Sequence, residues 1–114
     1  MKYLPYGTEA YVPREKLLGY LLSEANPRSR GKAKFFRRLG YNEDNVDRLR
    51  HGLLEIAAFG EVEDDIKTPW GRKYVVIGEL ATPAGPKISL LTVWIREHGA
   101  LKPRFVTAYP RKKT

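Results

Sequence analysis

Between Arg28 and Arg38 the chain carries Arg28, Arg30, Lys32, Lys34, Arg37 and Arg38 and no acid. The run falls where a helix is expected to begin. A helix N-terminus carries partial positive charge, so each exposed cation massed there costs about 0.3–1 kcal/mol. A bound anion, phosphate above all, would offset that cost. The alternative is a basic face that is simply solvated. On a helical wheel Phe35, Phe36 and Leu39 form the apolar stripe, and Lys34, Arg37 and Arg38 point away from it. Lys32 stands one turn before Phe36, inside the stripe, with Arg28 and Arg30 near the helix start. Because helical side chains lean toward the N-terminus, Lys32 should reach the rim of the core. There it either meets a phosphate or snorkels to water.

The segment Pro103–Pro110 reads as a strand. Its alternation sets Phe105, Thr107 and Tyr109 on one face and Arg104, Val106 and Ala108 on the other, with Val106 and Ala108 as the helix-packed side. Thr107 and Tyr109, two apart on the open face, can both donate to a phosphate oxygen. They are also ordinary strand formers. Trp94 could stack on a base or fill the core. Arg72 and Lys73 flank a glycine turn and need do no more than solubilise it. His51 lies beside an apolar helical stripe and His98 in a loop. Asp64 and Asp65 belong to an acidic run with no spaced second carboxylate cluster, which argues against a two-metal nuclease. The chain has no Cys, and hence no disulfide, thiolate metal site or cysteine nucleophile. Neither a G-x-x-x-x-G-K-[ST] loop nor a G-x-S-x-G elbow occurs. No cofactor or metal is expected.

The elements that must position these groups follow from periodicity. Residues 1–12 form an aromatic arm or edge strand. Pro13 opens a first helix with Leu17, Leu18, Leu21 and Leu22 as its stripe, ending near Ala25 before Asn26-Pro27. Ser29 caps a second helix that ends at Gly40. Asn42 or Asp44 caps a third, with Val46, Leu49, Leu53 and Ile56 inward. Residues 61–71 read as an acidic connector and turn. Strands follow at Lys73–Leu80, Ile88–Arg96 and Arg104–Tyr109. The expectation is one α+β domain, with about three N-terminal helices (13–59) packed on a C-terminal antiparallel β-meander (72–110), and a mobile basic tail at 111–114.

With 114 residues, one domain suffices. Lys plus Arg number 21 against 13 Asp plus Glu, a net charge of +8. That balance favours a polyanionic partner, RNA or DNA, and equally an acidic protein. No apolar run has the length of a secretory signal or membrane span, so a soluble, cytoplasmic protein is expected.

Several ordered pieces carry a resemblance: Lys16-Leu17-x-x-Tyr20-Leu21-Leu22, Gly31-Lys32-Ala33-x-x-Phe36, Leu39-Gly40-Tyr41, Trp70-Gly71-x-x-Tyr74, Thr92-Val93-Trp94-Ile95 and Pro103-Arg104-x-Val106-Thr107-Ala108-Tyr109-Pro110. The set, running from residue 14 to residue 110, resembles a family of small bacterial toxin-like domains. These stand alone beside a short partner gene or end polymorphic toxins. That family is more distantly similar to the barnase–EndoU–colicin–RelE group of metal-independent ribonucleases. The resemblance implies an endoribonuclease toxin with a small acidic antitoxin. Lys32, Arg104, Thr107 and Tyr109 would then be the catalytic group. Arg28, Arg30, Lys34, Arg72, Tyr74 and Trp94 would contact nucleic acid. Some relatives carry His directly before the helix lysine, where this chain has Gly31. A non-catalytic nucleic-acid-binding module and a basic protein-interaction module remain the alternatives.

Overall fold

A computed structural model describes residues 2–111. The basic tail, beyond Arg111, lies outside the described residues. Among the described residues a short 3-10 turn, Gly7–Glu9, and three further helical segments precede a four-stranded antiparallel sheet of order β1-β2-β3-β4, the α+β arrangement expected from the sequence. The strands are β1 Glu61–Thr68, β2 Gly71–Ala81, β3 Lys87–Glu97 and β4 Arg104–Pro110.

The first helical segment is shorter than its leucine pattern implies. It begins after Pro13 as α1, Arg14–Lys16, and widens at once into a π-helical turn, Leu17–Leu21. The turn closes with Leu22 N–H donating to Leu17 C=O at 2.9 Å. Widening lets Leu17, Leu21 and Leu22 all enter the core while Tyr20 swings to the side. The chain leaves the helix at Leu22, not at Ala25, because the apolar stripe ends there.

Helix α2, Arg30–Arg38, follows Ser29 and buries Ala33 and Phe36. Gly40 at φ 100° reverses the chain, a conformation that costs glycine little. Arg37, read from the wheel as a solvated charge, is structural. It donates to Leu22 C=O from Nε (2.9 Å) and Nη2 (2.7 Å), and to both carboxylate oxygens of Glu43. It thereby ties α2 to the end of the π turn. Helix α3, Val46–Phe59, starts at Asn45 and not at Asn42 or Asp44. Asn42 Oδ1 instead accepts from the Asp44 N–H at 2.8 Å and shapes the preceding turn. Leu49, Leu53 and Ile56 face the core as the period requires.

The acidic run 61–71 is not a connector. Glu61–Thr68 pairs with β2 from Glu61↔Ile77 to Thr68↔Gly71, broken by a bulge between Val62 and Asp64. Its acids sit on an edge strand, where water and cations take up their charge. Asp65 meets Lys2 at 2.8 Å and Arg72 at 2.9 Å, and Glu63 meets Arg111 at 3.1 Å. The N-terminal arm closes the domain along both edges of the sheet. Val62 N–H donates to Lys2 C=O at 2.8 Å, and Tyr11 makes a parallel bridge to Arg104 of β4.

A second bulge lies between β3 and β4. Trp94 pairs with Phe105 but Val93 pairs with Thr107, so Val106 is the extra residue. Simple alternation put Val106 on the helix-packed side and Phe105 opposite. The bulge exchanges them. Phe105 and Ala108 both reach the core, and Thr107 and Tyr109 keep the other face.

The bidentate Arg37 hydrogen bond holds the Glu43 carboxyl at a pKa of about 2, below its ordinary 4.5. A depressed carboxyl pKa stabilises the fold fully above the unfolded value and loses that contribution as pH falls through the folded one. The window is therefore pH 4.5 down to about 2. An NMR titration should find Glu43 protonating near the lower limit, and Arg37→Ala should return it toward the upper.

Candidate functional site

The site lies where α2 and the π turn meet β4. Phe36 and Ala33 anchor α2 in the core, and this fixes Lys32 one turn earlier at the rim. Lys32 Nζ donates to Tyr20 Oη at 2.8 Å and to Thr107 Oγ1 at 2.7 Å. Those two hydroxyl oxygens are 2.7 Å apart and share a hydrogen bond. The ammonium also stands 4.2 Å from the centroid of the Tyr109 ring. Thus the π turn, α2 and β4 each supply one corner of a triangle, and Tyr109 covers its cation.

The electrostatics of Tyr20 decide what this cluster can do. Partial burial works to raise its pKa. The hydrogen bonds from Lys32 and Thr107, with the charges of Lys32 and Lys16, outweigh burial and hold the phenol below its ordinary 10.0. Lys16 Nζ sits 5.1 Å from the Tyr20 ring centroid, on the neighbouring turn. A phenol so placed releases its proton more readily than a free tyrosine. An ammonium beside it can hold an anionic oxygen.

Of the four expected catalytic residues, three come together: Lys32, Thr107 and Tyr109. Arg104 does not join them. It lies across the bulge, with Nε bound to Glu97 at 2.8 Å and its backbone bridged to Tyr11. Of the expected nucleic-acid contacts, Arg28, Arg30 and Lys34 are exposed beside α2, Arg30 also donating to Glu24 C=O at 3.1 Å. Arg72 is exposed and paired with Asp65.

Trp94 and Tyr74 are corrections. Trp94 is 0% exposed, packs edge to face on Phe105 at 5.4 Å, and donates from Nε1 to Thr92 Oγ1 at 2.8 Å. Tyr74 is 3% exposed on the same face of the sheet. Neither offers a ring to a base. Tyr20 is the residue that sequence reasoning missed as a site group. The signal was present: Lys16 and Tyr20 are four apart, with Tyr20 off the leucine stripe. Among the described residues, no three His, Asp or Glu side chains gather as a metal site, and no helix is long and apolar enough to cross a membrane.

Fold and site together define an α+β domain with a half-buried lysine–tyrosine–threonine cluster at the β4 edge of its sheet. The chain belongs to the family described as "Domain of unknown function (DUF6883)", whose model matches residues 3–112. The fold is similar to that of a chain in a contact-dependent growth inhibition toxin–immunity protein complex from Klebsiella pneumoniae 342. The TM-score is 0.77 at 16% identity, over 95% of this chain and 98% of that one. No curated protein matches the chain in sequence.

Two outcomes test this anatomy. Lys32→Met should raise the Tyr20 pKa toward or above 10.0, read as a later tyrosinate absorbance step that Tyr20→Phe abolishes. Trp94→Ala should cost about 3–5 kcal/mol in urea unfolding, whereas a tryptophan reserved for stacking would leave stability unchanged.

Proposed function

We propose that this protein is the toxin of a bacterial toxin–antitoxin or toxin–immunity pair, and that it cleaves RNA without a metal ion. The observation that carries the reading is the Lys32 ammonium, held 2.8 Å from the Tyr20 phenol and 2.7 Å from the Thr107 hydroxyl. Metal-independent cleavage needs a base for the ribose 2′-OH, an acid for the leaving 5′-oxygen and a cation for the phosphorane. In this reading ionised Tyr20 takes the 2′-OH proton as that oxygen bonds to phosphorus. Lys32 and Thr107 bind the non-bridging oxygens. As the P–O5′ bond breaks, the exposed Tyr109 hydroxyl protonates the leaving oxygen. The products are a 2′,3′-cyclic phosphate and a 5′-hydroxyl, and solvent restores both tyrosines. Arg104, tied to Glu97, contributes at most long-range charge. Arg28, Arg30 and Lys34 attract the polyanion.

The toxin role rests on the family-wide resemblance and on the fold shared with a chain of a toxin–immunity complex. That complex holds two kinds of protein. A net charge of +8 supports reading this chain as the nucleic-acid-directed member, with a small acidic protein as its natural inhibitor. The same closed triangle also favours one other reading. Its three polar atoms satisfy one another, as they would in a purely structural tie between α2 and β4. The protein would then be a non-catalytic RNA- or DNA-binding module.

Incubating the purified protein with RNA and with ribosomes in EDTA separates the two. Cleavage should leave cyclic phosphate ends, and Lys32→Ala should slow it about 100-fold or more, the usual loss for a donor to a developing charge. Its kcat/KM should rise with pH up to the lowered Tyr20 pKa of the free protein, and Tyr20→Phe should remove that limb. If RNA and ribosomes stay intact and Lys32→Ala leaves growth inhibition unchanged, the nuclease reading is wrong.

A further inference from the structure

Trp70 is 71% exposed, although a side chain of its size ordinarily seeks cover. It belongs to the Trp70-Gly71 motif, which the Lys32 cluster leaves unused. The β1–β2 turn holds it rigidly. Thr68 Oγ1 donates to Gly71 C=O at 2.9 Å and accepts from the Trp70 N–H at 3.3 Å. Gly71, at φ 148°, lies so close to the Arg96 carbonyl that no Cβ fits. The neighbouring β3–β4 turn is latched to it. His98 N–H donates to Trp70 C=O at 3.0 Å, and His98 Nε2–H to Pro69 C=O at 3.0 Å. Rigid backbone under an exposed indole is the build of a presented ring, not of a frayed loop.

The two turns frame an open cleft of about 330 Å³ that reaches Gly71, the chain neighbour of Trp70, and is lined also by Lys67, Arg72, Arg96, Glu97 and His98. That volume suits one nucleotide unit. Its formal charge is positive, three cations against one acid, and Glu97 is already spent on Arg104 at 2.8 Å. Arg72 is partly engaged by Asp65 at 2.9 Å. Arg96 is fixed by Nε donating to Leu101 C=O at 2.9 Å, with its guanidinium 4.9 Å from the Tyr6 ring.

We propose that Trp70 and this cleft form a single-stranded nucleic-acid subsite, separate from the Lys32 cluster. One base stacks on the indole while Lys67, Arg72 and Arg96 meet the adjoining phosphates. Stacking tolerates any base, and the cations track a backbone, so the subsite holds a strand without reading its sequence. It requires no cleavage and stands or falls apart from the nuclease reading.

The two tryptophans make the test direct, because Trp94 is fully buried and only Trp70 can meet a ligand. A short single-stranded oligoribonucleotide of mixed sequence should quench the intrinsic tryptophan emission. By anisotropy, Trp70→Ala should bind it about tenfold more weakly, and Trp70→Phe should keep most of the affinity. Lys67→Gln with Arg96→Gln should flatten the salt dependence of binding. Urea unfolding of each variant checks that the fold is kept. The proposal is overturned if the oligonucleotide leaves the emission unchanged. It is equally overturned if Trp70→Ala binds as tightly as the parent, or if only an acidic peptide or a second copy of the chain protects the indole. Quenching, with RNA and ribosomes intact in EDTA and growth inhibition unchanged by Lys32→Ala, leaves the subsite standing and removes the nuclease reading. Cleavage without quenching does the reverse.

Discussion

An ammonium half removed from water needs acceptors, and for Lys32 they are the Tyr20 and Thr107 hydroxyls. Much of the local architecture exists to satisfy that need. The π turn brings Tyr20 round from a helix whose leucines face elsewhere. The β3–β4 bulge frees Thr107 and Tyr109 from the core while sending Phe105 and Ala108 into it. Helix α2 is held at the right height by Phe36 below and by Arg37 on the Leu22 carbonyl. A regular helix or an unbroken strand would place these groups differently. Single-turn π irregularities and bulges are common where side chains must be re-aimed for a task.

The basic run therefore divides by partner, not by composition. Arg37 is a tie between elements. Arg30 spends one donor on a backbone carbonyl. Lys32 is the one cation of the run enclosed by hydroxyls and an aromatic ring. Arg28, Lys34 and Arg38 remain exposed and contribute a field more than a contact. The adverse dipole at the α2 start is thus shared among groups with several occupations. Asp65 with Arg72 and Lys2, and Glu97 with Arg104, likewise neutralise cations that a count of charges would treat as free.

Where periodicity was unbroken, the sequence was legible. The α3 stripe, the β2–β3 hairpin and the order of helices before the sheet all follow from apolar spacing. Lys32 was found because it interrupts the apolar stripe of its own helix. The irregular features were hidden for physical reasons. A π turn and a bulge each displace the period by one residue, which no fixed wheel or alternation anticipates. They concealed Tyr20 and reversed Phe105 and Val106. The acidic strand β1 was hidden by composition, since its partners come from residues far along the chain: Arg111 for Glu63, and Lys2 and Arg72 for Asp65. Trp94 and Tyr74 misled in the opposite direction, because an aromatic residue in a strand has the same local signature whether it lines a core or a surface.

The triangle is closed in the free protein, so an anion bound at Lys32 would have to open it. Each hydroxyl that Lys32 now faces is a neutral acceptor. An anionic phosphate oxygen makes a shorter and roughly twice stronger hydrogen bond to the same ammonium. Exchange of Thr107 or Tyr20 for such an oxygen is therefore favourable at Lys32 itself. The displaced hydroxyl does not become an orphan, because Tyr20 and Thr107 are within 2.7 Å of each other and both can turn toward the new ligand. Losing part of its Lys32 hydrogen bond would raise the Tyr20 pKa, while a bound phosphate's negative charge would raise it further. The base role proposed for Tyr20 therefore requires that Thr107, and not Tyr20, gives up its place on Lys32, so that the hydrogen bond that lowers the phenol's pKa is kept. A cluster that satisfies its own cation at rest, and could exchange one neutral hydroxyl for an anionic oxygen, ties α2 to β4 without sealing the site.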